Sequence, residues 1–100
     1  MIIYNVTVCI DEAIHEEWLQ WMKEDHIPKV MATNKFLEYK ICKLLYAEQS
    51  DPTFAIQYTC ESEDVLNDYQ KNFAPQLQKE HTEKYEGRFA AFRTLLEVVE

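Results

Sequence analysis

The stretch from Glu17 to Pro28 restricts the fold of this chain more than any other. It carries both tryptophans, and Ile14, Trp18, Trp21 and Met22, with Leu19 beside them, recur three or four residues apart. That spacing stacks large apolar side chains on one face of a helix, while Glu16, Glu17, Lys23 and Glu24 fall elsewhere. The run closes on His26, Ile27 and Pro28. Proline has no N–H and disfavours helical geometry in the residue before it. The helix is therefore expected to end near Asp25, leaving His26 at its exit in a chain reversal. Pro28 also suits a first helical position, so a short helical piece through Val30 and Met31 is expected, ending near Thr33 and Asn34.

The flanking segments read with period two. Ile2, Tyr4, Val6, Val8 and Ile10 make an apolar face, and Ile3, Asn5, Thr7 and Cys9 a mixed one, which is the pattern of a half-buried strand. Asp11 and Glu12 then suit a helix N-terminus. Phe36 to Tyr46 reads as a second strand, Glu48 to Pro52 as a turn, and Thr53 to Cys60 as a third strand paired with the second in a hairpin. Ser62 is a helix cap before Val65, Leu66, Tyr69 and Phe73; Pro75 interrupts, and Leu77, His81 and Tyr85 recur in a second segment. Gly87, the only glycine, follows at the C′ position, where left-handed geometry is needed. Arg88 to Val99 reads as the last strand, with Phe89, Ala91, Arg93 and Leu95 on one face and Phe92, Thr94, Leu96 and Val98 on the other.

The resulting order, β-α-β-β-α-β, with right-handed crossovers, gives an α+β ferredoxin-like sandwich: a four-stranded antiparallel sheet with both helices on one face. The other face, carrying Asn5, Thr7, Gln57 and Thr59, is bare unless something covers it. One domain spanning residues 1–100 is expected, and a homodimer, because a chain of this size buries only ~60–65% of its unfolded surface. Eighteen acidic against ten basic residues, net charge −8, without a basic cluster, argues against nucleic acid or an anionic membrane as partner. No apolar run is long enough for a membrane span, and three cysteines without C-x-x-C spacing read as reduced thiols of a cytoplasmic protein.

The order of Met1 to Val8, Trp18…Trp21-Met22…His26-Ile27-Pro28, Ala32-Thr33-x-x-Phe36, Gln57-Tyr58-Thr59 and Phe89-x-x-Phe92-Arg93-Thr94-x-Leu96-Glu97 resembles a domain-of-unknown-function family of small bacterial proteins. The resemblance covers essentially the whole chain and is silent on activity. More distantly, the architecture and the helix-ending His-x-Pro resemble the dimeric α+β barrel superfamily. That group includes antibiotic-biosynthesis monooxygenases that need no cofactor, haem-degrading enzymes, muconolactone-isomerase-like enzymes and members without catalysis. The resemblance implies two sheets facing one another in a homodimer, with a cavity between sheet and helices in each protomer. Relatives often carry glycine after Thr33, where this chain has Asn34, a residue that also tolerates left-handed geometry.

Among candidate functional residues His26 leads, since imidazole titrates near neutral pH; its plain alternative is a cap on the helix C-terminus. His15 lies eleven residues earlier, about 16 Å along a helix axis, so the two cannot share a metal. His81 reads as filler between Leu77 and Tyr85. No metal-ligand spacing exists, and neither a metal nor a cofactor is expected. Trp18 and Trp21 are candidate walls of a ligand pocket, with core packing as the ordinary explanation. Asn5 and Gln57 are candidates to orient a small ligand across a dimer cleft. Arg93, mid-strand, must find a carboxylate, a ligand anion or solvent and is a candidate ligand contact, with Glu97 on the same face as the ordinary partner. Cysteine-based metal transfer, RNA recognition and a glycine-rich phosphate loop all lack their residues. Two functions remain: a small-molecule binder or cofactor-independent enzyme using one cavity lined by His26, Trp18, Trp21, Asn5, Gln57 and Arg93, or a non-catalytic homodimeric interaction module.

Overall fold

The central strand β1 (Ile2–Ile10) runs between two antiparallel neighbours, and the chain follows it in the order its sequence pattern predicts. A computed structural model describes residues 1–45 and 50–100. Strands β2 (Glu38–Lys43), β3 (Thr53–Cys60) and β4 (Phe89–Glu97) complete a sheet of order β2-β3-β1-β4, antiparallel throughout. Helices α1 (His15–Trp21) and α2 (Ile27–Met31) follow β1, and α3 (Glu63–Asn72) and α4 (Ala74–Lys84) follow β3. The fold is the ferredoxin-like α+β sandwich.

Register sets the two faces. Tyr4 lies opposite Tyr58 and Leu95, Val6 opposite Ile56 and Arg93, and Val8 opposite Phe54 and Ala91. These residues share the helix-covered face, because directly paired residues point the same way. The intervening row, Lys40, Gln57, Asn5 and Thr94, lies on the other face. Between sheet and helices the core includes Trp18, Ile10, Ile27, Ile56 and Leu66, all essentially inaccessible to solvent. Phe36 joins it from the loop before β2, its ring 4.7 Å from Tyr69 and 5.1 Å from Tyr58.

The main departure from expectation is at Pro28. The helix does not end at Asp25: a turn of π-helix, Met22–His26, joins α1 to α2, and His26 sits within a continuous helical segment. A proline ring in an α-helix meets the carbonyl four residues earlier, here that of Glu24. In the wider π-turn the N–H of Ile27 bonds instead to the carbonyl of Met22, five residues back. This accommodates the ring without breaking the segment. Ile27 accordingly keeps helical angles despite preceding proline. The chain reversal comes later, at Asn34, whose φ of 63° is the left-handed geometry expected there.

Other boundaries shift modestly. The second strand is shorter than Phe36 to Tyr46, and Tyr46 lies outside the described residues, as do Glu48 and Gln49 of the expected turn. Asp11 caps a 3-10 turn, Glu12–Ile14, by accepting from the N–H of Ala13 at 2.9 Å; its second oxygen accepts from Arg88 Nε at 2.7 Å. Ser62 caps α3 by accepting from the N–H of Val65. Pro75 does not interrupt a helix but stands in the first turn of α4, with the break at Phe73. Gly87 has φ +76° one residue beyond the C′ position, as the third residue of a turn closed by the Arg88 N–H on the Tyr85 carbonyl. Among the described residues no helix is long and apolar enough to cross a membrane.

Candidate functional site

Two histidines from different helices meet over the sheet. His26 is on the π-turn and His81 near the end of α4, and their ring centroids are 5.7 Å apart. The wide turn presents His26 inward, and the four-residue repeat of Leu77, His81 and Tyr85 keeps His81 on the buried side of α4. Beneath them lies a cavity of about 200 Å³. Its floor is the helix-facing side of β1, β3 and β4 (Tyr4, Val6, Ile56, Tyr58 and Arg93 among others), and its roof includes Met22, Tyr69 and Leu77. Gln78 and Thr82 border it on the α4 side, where Thr82 is exposed.

The electrostatics follow from burial. Loss of solvent pushes the His26 pKa down from 6.5 to about 4; Glu80 and Asp25 oppose the shift, and Lys29 and Arg93 reinforce it. His81 falls likewise to about 4, by burial first and then by the proximity of His26 and Arg93. Both rings are therefore neutral at pH 7. Burial also raises the phenols of Tyr58 and Tyr69 well above their usual range, so they stay protonated.

Hydrogen bonds sort the groups further. Trp18 Nε1 donates to His81 Nε2 at 2.9 Å. Indole is only a donor, so Nε2 is the accepting nitrogen and the proton of neutral His81 is on Nδ1. Arg93 Nε donates to the Tyr4 hydroxyl oxygen at 3.0 Å, and among the described residues Arg93 makes no ion pair. The expected pairing of Arg93 with Glu97 is thus replaced by Tyr4, which sits beside it across the β1–β4 ladder.

Of the residues singled out in the sequence, His26 and Arg93 border the cavity. Trp18 and Trp21 do not line it. Trp18 is wholly buried behind His81, and Trp21 packs on His26 and His81 with ring centroids 5.3 and 5.8 Å away. Asn5 and Gln57 lie on the opposite face of the sheet, so no single cavity of one protomer unites all six. Their side chains point there because odd positions of β1 and β3 face away from the helices. His81, which the sequence offers only as filler, and Tyr4, Tyr58 and Tyr69, whose phenols it offers as donors with a backbone carbonyl as the ordinary partner, also line the cavity; the signal for His81 was a polar residue at an apolar repeat position. His15 is separate, its Nδ1 bonded to the carbonyl of Glu12 at 2.8 Å. Among the described residues no cluster of histidine, cysteine and carboxylate side chains could hold a metal ion.

The family described as a domain of unknown function, DUF4286, matches residues 1–99. No curated protein matches the chain by sequence. Solved structures are similar along the whole length. A dimeric ferredoxin-like protein from an uncultured marine organism has a TM-score of 0.71 at 14% identity, covering 99% of this chain and 94% of the other. A protein provisionally described as an antibiotic biosynthesis monooxygenase, from Deinococcus radiodurans, has a TM-score of 0.70 at 13% identity, with 100% and 94% covered. A variant of MhuD, crystallised with two manganese protoporphyrin IX molecules per active site, has a TM-score of 0.70 at 12% identity, with 100% and 96% covered. At such identities the likeness shows the fold alone.

Proposed function

The chain belongs to the DUF4286 family, and from that premise we propose that it is a homodimeric small-molecule-binding protein of the dimeric α+β barrel type, capable of proton transfer without a cofactor. The observation that carries this reading is the convergence of His26, His81, Arg93 and Tyr4 on one otherwise largely apolar cavity. Ligand pockets combine an apolar lining with a few placed polar groups in this way. A solidly packed interior would instead have favoured an interaction module.

His26 is the proton-transfer residue in this reading. Neutral at pH 7, it is free to accept a proton, though as a weak base; an anion bound nearby would raise its pKa toward the working range. The cavity is smaller than the ~300–1,000 Å³ of drug-sized ligand sites, which favours a compact ligand over a macrocycle. Trp18 and Trp21 support the histidines from behind.

The homodimer draws support from the neighbours described as dimeric. The bare sheet face gives a second copy something to cover: Phe92 is 63% exposed and Leu96 41% exposed. On that face the buried Asn5 Oδ1 has no hydrogen-bond partner within the protomer. Asn5 and Gln57 then serve the interface between copies.

Native mass spectrometry of the purified protein is the test. A retained small molecule is expected on wild type and its loss on His26→Ala. Empty wild-type protein that also takes up none of a panel of small aromatic and aliphatic compounds would leave the interaction module as the better reading.

A further inference from the structure

We infer that the cavity takes a single-ring organic anion, its charged oxygen held by Arg93 and Tyr4 and its ring packed on the apolar wall. The inference rests on the small-molecule reading above and names the class of ligand. Size comes first. About 200 Å³ is somewhat more than the ~150 Å³ apolar cavity that accommodates benzene in another protein. It leaves room for one ring and a short substituent. The lining provides for a ring: Val6, Val8, Ile56, Tyr58, Tyr69 and Phe89.

Donor accounting gives the charge. Arg93 has only donors, and its Nε alone is engaged, by Tyr4. Arg93 is solvent-exposed at the border of the cavity, and among the described residues no carboxylate pairs with its two terminal nitrogens, so a bound anion would replace only water there. The Tyr4 oxygen accepts from Arg93, which leaves its phenolic hydrogen to donate. His81 spends its accepting nitrogen on Trp18, so its remaining ring nitrogen is also a donor. Arg93, Tyr4 and His81 thus offer hydrogens and one fixed positive charge, while neutral His26 and Gln78 at the same cavity can also accept. A ligand matching them has accepting oxygens and negative charge, as in a carboxylate, phenolate or enolate. A cation would meet Arg93 without compensation.

The experiment titrates benzoate, benzamide, benzene and acetate separately into the full chain, following the ring signals of His26 and His81 and the indole N–H of Trp18 by NMR. Benzoate is expected to bind at least tenfold more tightly than each of the other three. Arg93→Gln should weaken benzoate at least tenfold. If that variant does not fold, Tyr4→Phe, which keeps the ring packing, should weaken benzoate at least threefold. Benzamide or benzene within tenfold of benzoate, or benzoate affinity untouched by the substitution, would overturn the anionic ligand while leaving a small-molecule cavity. Acetate within tenfold of benzoate would overturn the ring. If none of the four moves the cavity signals, the single-ring anion is overturned, and the small-molecule reading falls with it where native mass spectrometry also finds the wild type empty.

Discussion

Trp18 and His81, sixty-three residues apart in sequence, share a buried hydrogen bond of 2.9 Å that fixes which nitrogen of His81 holds the proton. The bond ties the first helical segment to α4 directly above the cavity. Replacing Trp18 by Phe keeps an aromatic ring but removes the donor and leaves Nε2 buried without a partner. A loss of about 2–4 kcal/mol is expected, combining the lost bond with lost packing. Chemical denaturation measures the loss. Nitrogen NMR of His81 should show protonation spreading to Nε2. An unchanged tautomer would show that Trp18 does not set it.

Acid should destabilise the fold over a defined window. The folded pKa values of His26 and His81 are each lowered to about 4 from 6.5. Between those values the unfolded chain binds more protons than the native one, so stability falls as pH falls. The contribution is complete above about pH 6.5 and lost by about pH 4, on the order of 3 kcal/mol per histidine at most. Glu80 and Asp25 near His26 reduce it, and Lys29 and Arg93 add to it. Urea denaturation from pH 7.5 to 4 should show this slope, and His81→Gln should flatten it. Parallel profiles for wild type and variant would contradict the assignment.

Gly87→Ala isolates a conformational cost. A methyl group there meets nothing within 4 Å, yet φ is +76°. The substitution should cost about 1 kcal/mol through backbone strain alone. Thermal melts of the two proteins decide it, and equal midpoints would mean the turn relaxes freely.

For the homodimer, light scattering at micromolar concentration should give twice the chain mass. Phe92→Asp places a charge on the exposed sheet face and should shift the protein toward monomer. A wild-type monomer would remove the proposal, and an unaffected dimer would move the interface elsewhere.

The sheet and its faces were legible because period-two alternation in β1 and β3 is unbroken, and the observed bounds of both strands coincide with those read from sequence. Caps at Asp11 and Ser62 and the left-handed Asn34 and Gly87 were legible for local steric and hydrogen-bonding reasons. Less could be read of the site. Nothing local links Trp18 to His81, or Tyr4 to Arg93, because each contact depends on how distant segments pack. The placement of Asn5 and Gln57 away from His26 followed from strand parity, but grouping all six candidates in one cavity ignored the thickness of the sheet. Proline rules misplaced the helix end, since they assume α-helical hydrogen bonding at Pro28.

The π-turn at Met22–His26 also changes how this segment should be counted. Trp18 and Ile27 are both fully buried, yet nine steps of an uninterrupted α-helix, at about 100° each, would set them about 180° apart. A π-turn takes up one extra residue, which reduces the divergence to about 80° and brings His26 within about 20° of Trp18. The segment is in effect an α-helix with a one-residue insertion. A chain of this family lacking one residue between Met22 and His26 would still superpose on both sides of the gap. A gap placed anywhere else in the segment would turn one half of its buried face toward water.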